Sequence, residues 1–443
     1  MNDSTSDAAT STTHHHHRTA ILAISLLAII AAAIGAFFYR LHVQRQAVKQ
    51  ITTAGGFVGY DYQYRDAKLV PGATPPGPKW LRQWIGDDTL ASVELVQLGS
   101  QVNAAAIKAV ATFPRLRTLA LLSNNVTDAE VMVLGKLTGL RELWLHSDNL
   151  TDQALVELKH LPRLRALSLG SRQFSDKGLE PLRNLAALQD LGLSDTQITT
   201  RGIARMPWAK NLTHLSFYGE AVNDATLSQL DALSNLESLQ LTRTNVSDAG
   251  LVSLGRLTRL RWLNLFDCPK LTDKSLAALP KLQNLEEVQI LNMPIGDAAM
   301  KNFQSLHKLR YLRLMSCRVT DRSIQSLTGL SKLESLELSS AKISDAAATT
   351  LASLTGLKFL LLRDNEGSDV GVQKIAVSLH LERLNIWRTK ATDASVPALS
   401  GMKSLQYLQV GPGITLDGAK QIKRALPNCA VSYVDANGGI TDL

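Results

Sequence analysis

The residues able to do chemistry fall into a few sets. His14 to His17 form a run that could bind a transition metal weakly, or else belong to a flexible polar tail. An aspartate recurs at Asp128, Asp152, Asp176, Asp224, Asp248, Asp273, Asp297, Asp321, Asp345, Asp369, Asp393 and Asp417. Such a carboxylate row suggests cation binding or acid–base work. Most of these aspartates follow Ser or Thr, however, as in Thr127-Asp128, Ser175-Asp176 and Ser247-Asp248. That pairing lets the hydroxyl N-cap a helix and puts the carboxylate near its positive end. Glu130 completes the spacing of a capping box with Thr127. The row is therefore a device of the fold. His146 and His214 have no matching Ser or Cys constellation. There is no phosphate loop, dinucleotide Gly motif, HExxH or nucleophile elbow. The chain reads as a non-enzyme, with no catalytic residue, metal or cofactor. What remains is recognition chemistry, carried by aromatic rings and arginines.

A repeating element positions those rings. Residues 236–260, LESLQLTRTNVSDAGLVSLGRLTRL, are one copy of a unit that steps every 24 residues. One copy is a residue longer, within FDCPK at 266–270, and in another Thr200 stands where the aspartate should be. Leu239-Gln240-Leu241 alternates and reads as a short strand. Residues 248–257 carry apolar side chains at spacings of three and read as a helix or 3-10 segment. VELVQLGSQVN, from Val93, is a degenerate first copy.

The pattern LxxLxLxxxxxTDxxLxxL, as in LRELWLHSDNLTDQALVEL from residue 140, resembles the leucine-rich repeat family over roughly residues 93–434. The resemblance implies an α/β solenoid. A parallel sheet would line its concave face, and helices or 3-10 turns its convex face, in about 13–14 repeats. AVKQITTAGGFVGYDYQY and PPGPKWLRQWIGDD are similar to the membrane-proximal part of bacterial membrane-anchored leucine-rich repeat proteins. One departure concerns the family's Asn after the strand. That site holds Asn124 and Asn365 but also Thr196, Thr244, Cys268, Cys317 and Thr389. Cys268 and Cys317 lie two rungs apart, about 10 Å, beyond disulfide reach. Two buried free thiols are expected, with Cys429 in a C-terminal cap. Three cysteines are too few for a disulfide scaffold.

Strand residues between the leucines face outward. Stacking the copies gives a charge column in which the sign alternates from Glu237 through Arg261, Glu286, Arg310, Glu334 and Lys358 to Glu382. It is register and solubility chemistry. At the column's start Arg117, Arg141 and Arg165, with Arg115 and Arg163 nearby, stack like charges. They read as an anion patch, facing an acidic partner or anionic lipid surface, or as solvated arginines. The candidate concave binding surface is Trp144, His146, Tyr218, Arg243, Trp262, Phe266, Tyr311, Arg313, Phe359, Arg363, Trp387 and Tyr407. Aromatic and Arg residues are the types enriched at interface hot spots. Aromatics also simply favour strands.

Residues 19–39 contain no charge and span about 30 Å as a helix, enough for a single transmembrane anchor. A cleaved signal peptide is the competing reading. Arg40, Arg45 and Lys49 outnumber Arg18, so the positive-inside rule leans to a cytoplasmic repeat domain. Residues 1–18 read as a disordered polar tail, 40–54 as a stalk helix, and 435–443 as a disordered tail. Residues 55–92 read as an N-terminal cap and Pro/Gly linker, with Trp80 and Trp84 packed within the cap. A net charge of +8 suits an anionic partner but is too dispersed for nucleic acid. The function expected is a membrane-tethered protein-interaction module, binding a protein or peptide as scaffold or sensor. The alternatives are a substrate-recognition protein of the ubiquitin-ligase type and a structural envelope protein.

Overall fold

The computed structural model of the chain describes the backbone of residues 7–65 and 68–443, and the side chains of 25–64 and 69–443. It divides into two compact units, residues 1–140 and 141–443.

The first unit begins with one long helix, α1 (Asp7–Thr53). Residues 1–6 of the expected tail lie outside the described residues, and from Asp7 the chain is helical where a disordered tail was expected. The stretches expected as anchor and stalk are parts of this same helix. Its apolar stretch is exposed from Leu26 to Tyr39, whereas Ala47, Ile51 and Ala54 are buried. Gly55 ends the helix at φ 69, and Gly56 N–H donates to Ile51 O at 2.9 Å, as a left-handed C-terminal cap requires.

Strand β1 (Phe57–Tyr60) precedes a two-stranded hairpin of β2 (Tyr64–Arg65) and β3 (Lys68–Leu69). Helix α2 (Lys79–Ile85) follows, then β4 (Val93–Leu98), α3 (Ala104–Val110) and β5 (Thr118–Leu122). β1 runs antiparallel on β4, with Phe57 opposite Gln97, and β4 is parallel to β5. The antiparallel strand covers an edge that would otherwise offer free N–H and C=O groups. Trp80 and Trp84 do not pack within the cap: they are 69% and 84% exposed, and α2 buries no residue. The capping box at Thr127 and Glu130 forms as its spacing requires.

The second unit is the repeat array. Its strands are β6 (Glu142–His146), β7 (Ala166–Gly170), β8 (Asp190–Ser194), β9 (His214–Tyr218), β10 (Ser238–Thr242) and β11 (Trp262–Phe266). They continue as β12 (Glu287–Leu291), β13 (Tyr311–Met315), β14 (Ser335–Glu337), β15 (Phe359–Leu361), β16 (Arg383–Asn385), β17 (Tyr407–Val410) and β18 (Ala430–Val434). All pair in parallel and in register, so Leu239 meets Leu263 and Leu312 meets Leu336. The inward leucines are fully buried, Leu239, Leu241, Leu263 and Leu265 all at 0% exposure. Each such side chain stabilises by about 1.5–3 kcal/mol. Short α and 3-10 segments return the chain between strands. The last strand, β19 (Ile440–Asp442), pairs antiparallel with β18. Residues 435–443 thus supply the turn and second strand of a hairpin where a disordered tail was expected.

The repeated aspartates do more than favour their own helix. From Asp152 to Asp393 each carboxylate reaches into the next repeat. Asp152 accepts from Ser175 N–H at 2.8 Å and from its hydroxyl at 2.6 Å. The same two-bond clasp joins Asp224 to Ser247, Asp248 to Thr272, Asp297 to Thr320 and Asp321 to Ser344. Thr200, lacking a carboxylate, instead donates its hydroxyl to Thr226 O at 2.8 Å. In the following copy Asn223 replaces the Ser or Thr and caps its own turn through Ala225 N–H.

Two kinds of turn leave the strands. After β6 and β7, buried Ser147 and Ser171 accept from the N–H groups of Asn149 and Gln173. After β8 and from β10 to β13 a residue with φ of 49–54° follows the strand, as at Asp195, Arg243 and Asp267. Beyond it the buried polar slot shifts by one, to Thr196, Thr244, Cys268 and Cys317. Asn365 fills the slot most fully, donating to Leu338 O and Leu362 O and accepting from Ile343 N–H. Asn124 does not occupy it. Ser123 is buried there and Asn124 is exposed. Cys268 and Cys317 are buried free thiols, each donating to a backbone carbonyl of the preceding rung.

Candidate functional site

On the open face of β11 to β17 the first outward position of each strand reads Trp262, Glu287, Tyr311, Ser335, Phe359, Arg383, Tyr407. A ring therefore falls on every second rung. Parallel strands sit about 4.8 Å apart, so rings two rungs apart leave a slot about 10 Å wide. Tyr311, Phe359 and Tyr407, with Ser335, Glu337, Leu361, Arg383 and Asn385, line a cleft of ≈ 270 Å³. Arg383 lies across the Phe359 ring, its Cζ 5.4 Å from the centroid. Among the described residues Arg383 makes no ion pair, so its charge is available to the cleft.

Glu337 forms the floor. It is only 8% exposed. Arg313 Nε lies 2.9 Å from one carboxylate oxygen, and the Ser339 hydroxyl donates to the other at 3.3 Å. Burial, then the Glu337 charge, pushes the Tyr311 phenol upward, so its O–H stays a donor. The cleft thus combines three flat apolar walls, a fixed carboxylate below and a guanidinium at the rim.

The other expected surface residues fall into separate groups. Arg363 and Arg388 flank the Trp387 indole, 5.4 and 5.1 Å from its ring, and both pair with Asp364. Trp262 belongs to a polar hollow of ≈ 510 Å³ with Asp190, His214, Glu237, Arg261, Glu286 and Glu287. Arg261 bridges Glu286 at 2.9 Å and Glu237 at 3.9 Å, as the alternating column requires. Arg243 donates to the Tyr218 hydroxyl and pairs with Asp267. Phe266 closes β11, half-buried. Trp144 and His146 lie on β6.

His146 does have a serine partner. Its Nε2 lies 2.8 Å from the Ser168 hydroxyl of the next strand. The ring lies over Gly170, where a Cβ would come within 2.8 Å of it. Burial lowers the His146 pKa, so the imidazole is held neutral. No carboxylate hydrogen-bonds this ring among the described residues, and the pair lacks the third group that orients a catalytic base.

The arginine set is divided between the units. In the first, Arg117 pairs with Glu94 at 3.2 Å and Arg115 donates to the Ser92 hydroxyl. In the second, Arg141, Arg163 and Arg165 make no ion pair among the described residues. Sequence reasoning missed Arg383, Glu337, Leu361 and Asn385. Arg383 was findable, because it shares the column of Tyr311, Phe359 and Tyr407.

Residues 307–366 and 232–255 each match a family model described as leucine-rich repeat. No curated protein sequence matches the chain. Among solved structures, an internalin from Listeria monocytogenes is similar at TM-score 0.51 and 22% identity, over 71% of this chain and 86% of that one. A leucine-rich repeat protein from Leptospira interrogans aligns at TM-score 0.45 and 20% identity, over 87% of this chain and 97% of that one.

Proposed function

We propose that this chain, a leucine-rich repeat protein, is a membrane-tethered, non-catalytic binding module that takes a protein or peptide segment on the open face of its sheet. The leucine-rich repeat fold supports a protein-interaction role, because an array of parallel strands presents a broad, preformed row of side chains. The observation that carries the site is the cleft of Tyr311, Phe359 and Tyr407 with Arg383 at its rim. Rings on every second rung suit an extended segment whose apolar side chains enter the slots, while Arg383 takes an acidic neighbour. The tether is α1, which holds one span apolar enough to cross a bilayer. Arg40, Arg45 and Lys49 favour a cytoplasmic array.

The test is a photo-crosslinking amino acid at Ser335, on the strand between Tyr311 and Phe359, in the native cell. A crosslinked partner is expected. It should vanish in Tyr311→Ala/Phe359→Ala and persist in Val252→Ala, which is on a return segment and 75% exposed. An adduct unchanged by the cleft variant would refute the site.

A further inference from the structure

Among the described residues nothing covers two tryptophans of the first unit. Trp80 and Trp84 stand one turn apart on α2, so they share a face, and they are 69% and 84% exposed. The adjoining side of the helix, Leu81 and Ile85, is half-buried against the unit. An amphipathic helix that turns its two largest rings outward is built to meet something.

The position of α2 along α1 says what. The exposed apolar stretch of α1 ends at Tyr39. Six residues on, Arg45 Nε donates to the Thr89 hydroxyl at 3.1 Å, and Gln44 donates to Ala91 O at 2.9 Å. The Arg45 guanidinium also reaches Gly86, the residue that closes α2. Ile85, Gly86 and Thr89 share a pocket of ≈ 330 Å³ with Gln44, Arg45 and Val48. Six helical residues rise about 9 Å. The headgroup layer on one side of a bilayer is about 5–8 Å deep. The end of α2 is therefore pinned at the outer edge of the headgroups whenever residues 19–39 span the hydrocarbon. An exposed indole at that height is within a ring's length of the zone that Trp prefers, where its apolar ring meets lipid and its N–H stays wet. Arg40, one residue past the apolar stretch, and Arg45, at the end of α2, add positive charge along this short length of α1, which suits anionic headgroups.

We propose that α2 is a second membrane contact, a tryptophan foot seated in the interfacial layer of an anionic bilayer beside the α1 span. This rests on the reading of α1 as an anchor. With one helix alone the unit could swivel about the bilayer normal and tilt. A foot beside it fixes both.

The experiment uses the full chain reconstituted into phosphatidylcholine/phosphatidylglycerol vesicles with lipids brominated high on the acyl chain. Bromine quenches the wild-type tryptophan emission, and Trp80→Phe/Trp84→Phe loses that quenching while its far-UV circular dichroism is unchanged. Retention on the vesicles through an alkaline carbonate wash is scored in parallel. Equal quenching of wild type and variant, with the protein still retained, would assign the tryptophan face to a protein or a second copy and overturn the foot while leaving the anchor. Release into the wash would overturn the anchor, and the foot with it.

Discussion

At the scale of single residues, the chain holds several groups in states that solution chemistry can report. Burial pushes the Cys317 thiol up to about 11 and raises Cys268 as well. Thiolate is the reactive form, so at pH 8 both should resist alkylation in the folded protein and react once urea exposes them. Peptide mass spectrometry after a timed iodoacetamide pulse reads this directly. His146 offers a second test. Its folded pKa lies below the ordinary 6.5, through burial. As pH falls through about 6.5 the unfolded chain takes up a proton that the folded chain refuses. Stability from this site is complete above that pH and lost below it. Urea midpoints from pH 7.5 to pH 5 should fall less steeply for His146→Gln than for the wild type. The Glu337 carboxylate provides a third. Arg313→Ala leaves it buried without its cation and should cost about 1–3 kcal/mol, the exposure of Arg313 keeping the loss below that of a fully buried pair. Arg313→Ala/Glu337→Gln should recover part of the loss in equilibrium unfolding.

At the scale of the element, the clasp between Asp and the following Ser or Thr governs which side chains fit. A Cβ on Gly250 would stand 2.4 Å from Asp224 Oδ1, the carboxylate that holds Ser247. Gly250→Ala and Asp224→Ala should each destabilise by about 1–3 kcal/mol, by crowding and by an unmade pair of hydrogen bonds respectively. The double variant should lose less than the sum, since the alanine methyl then has no carboxylate to strike. The clasp also marks how far sequence reasoning reached. Leucine spacing gave strand, register and burial, because a period of 24 leaves those positions only one way to face. The Ser/Thr-Asp pair was legible as a helix start. Its reach into the next repeat was not, since a contact 23 residues away leaves no local signature. The shift of the buried polar slot from Ser171 to Thr196 was hidden for a similar reason: both copies are 24 residues long, and only the backbone at Asp195 distinguishes them. The cleft was half legible. Its rings follow from the column, but Glu337 as a buried floor depends on how Arg313 and Ser339 fold over it. Trp80 and Trp84 were misread because an i, i+4 pair of rings looks the same in sequence whether it faces a core or solvent.

At the scale of the whole molecule, each unit protects its own sheet edge with a reversed strand, β1 on β4 in the first and β19 on β18 in the second. Removing residues 436–443 would uncover the outer hydrogen-bonding edge of β18, where Leu443 N–H now donates to Val431 O. Truncation at that point should leave the repeats folded by circular dichroism. It should also raise the apparent mass in light scattering, as bare edges pair between molecules.

The clasp has a direction. From Asp152 to Asp393 each carboxylate acts on the repeat after its own, and Asp417, in the last copy, pairs with Lys420 in its own turn. A ribosome delivers the repeats in that same order. Along the clasped copies every newly emerged Ser or Thr finds its acceptor already in place on the copy made before it; the copy without the aspartate is the exception, since the Thr200 N–H and hydroxyl both donate forward to Thr226 O. Apart from that copy, the clasped repeats are thus fitted to assemble as they are synthesised, one rung at a time.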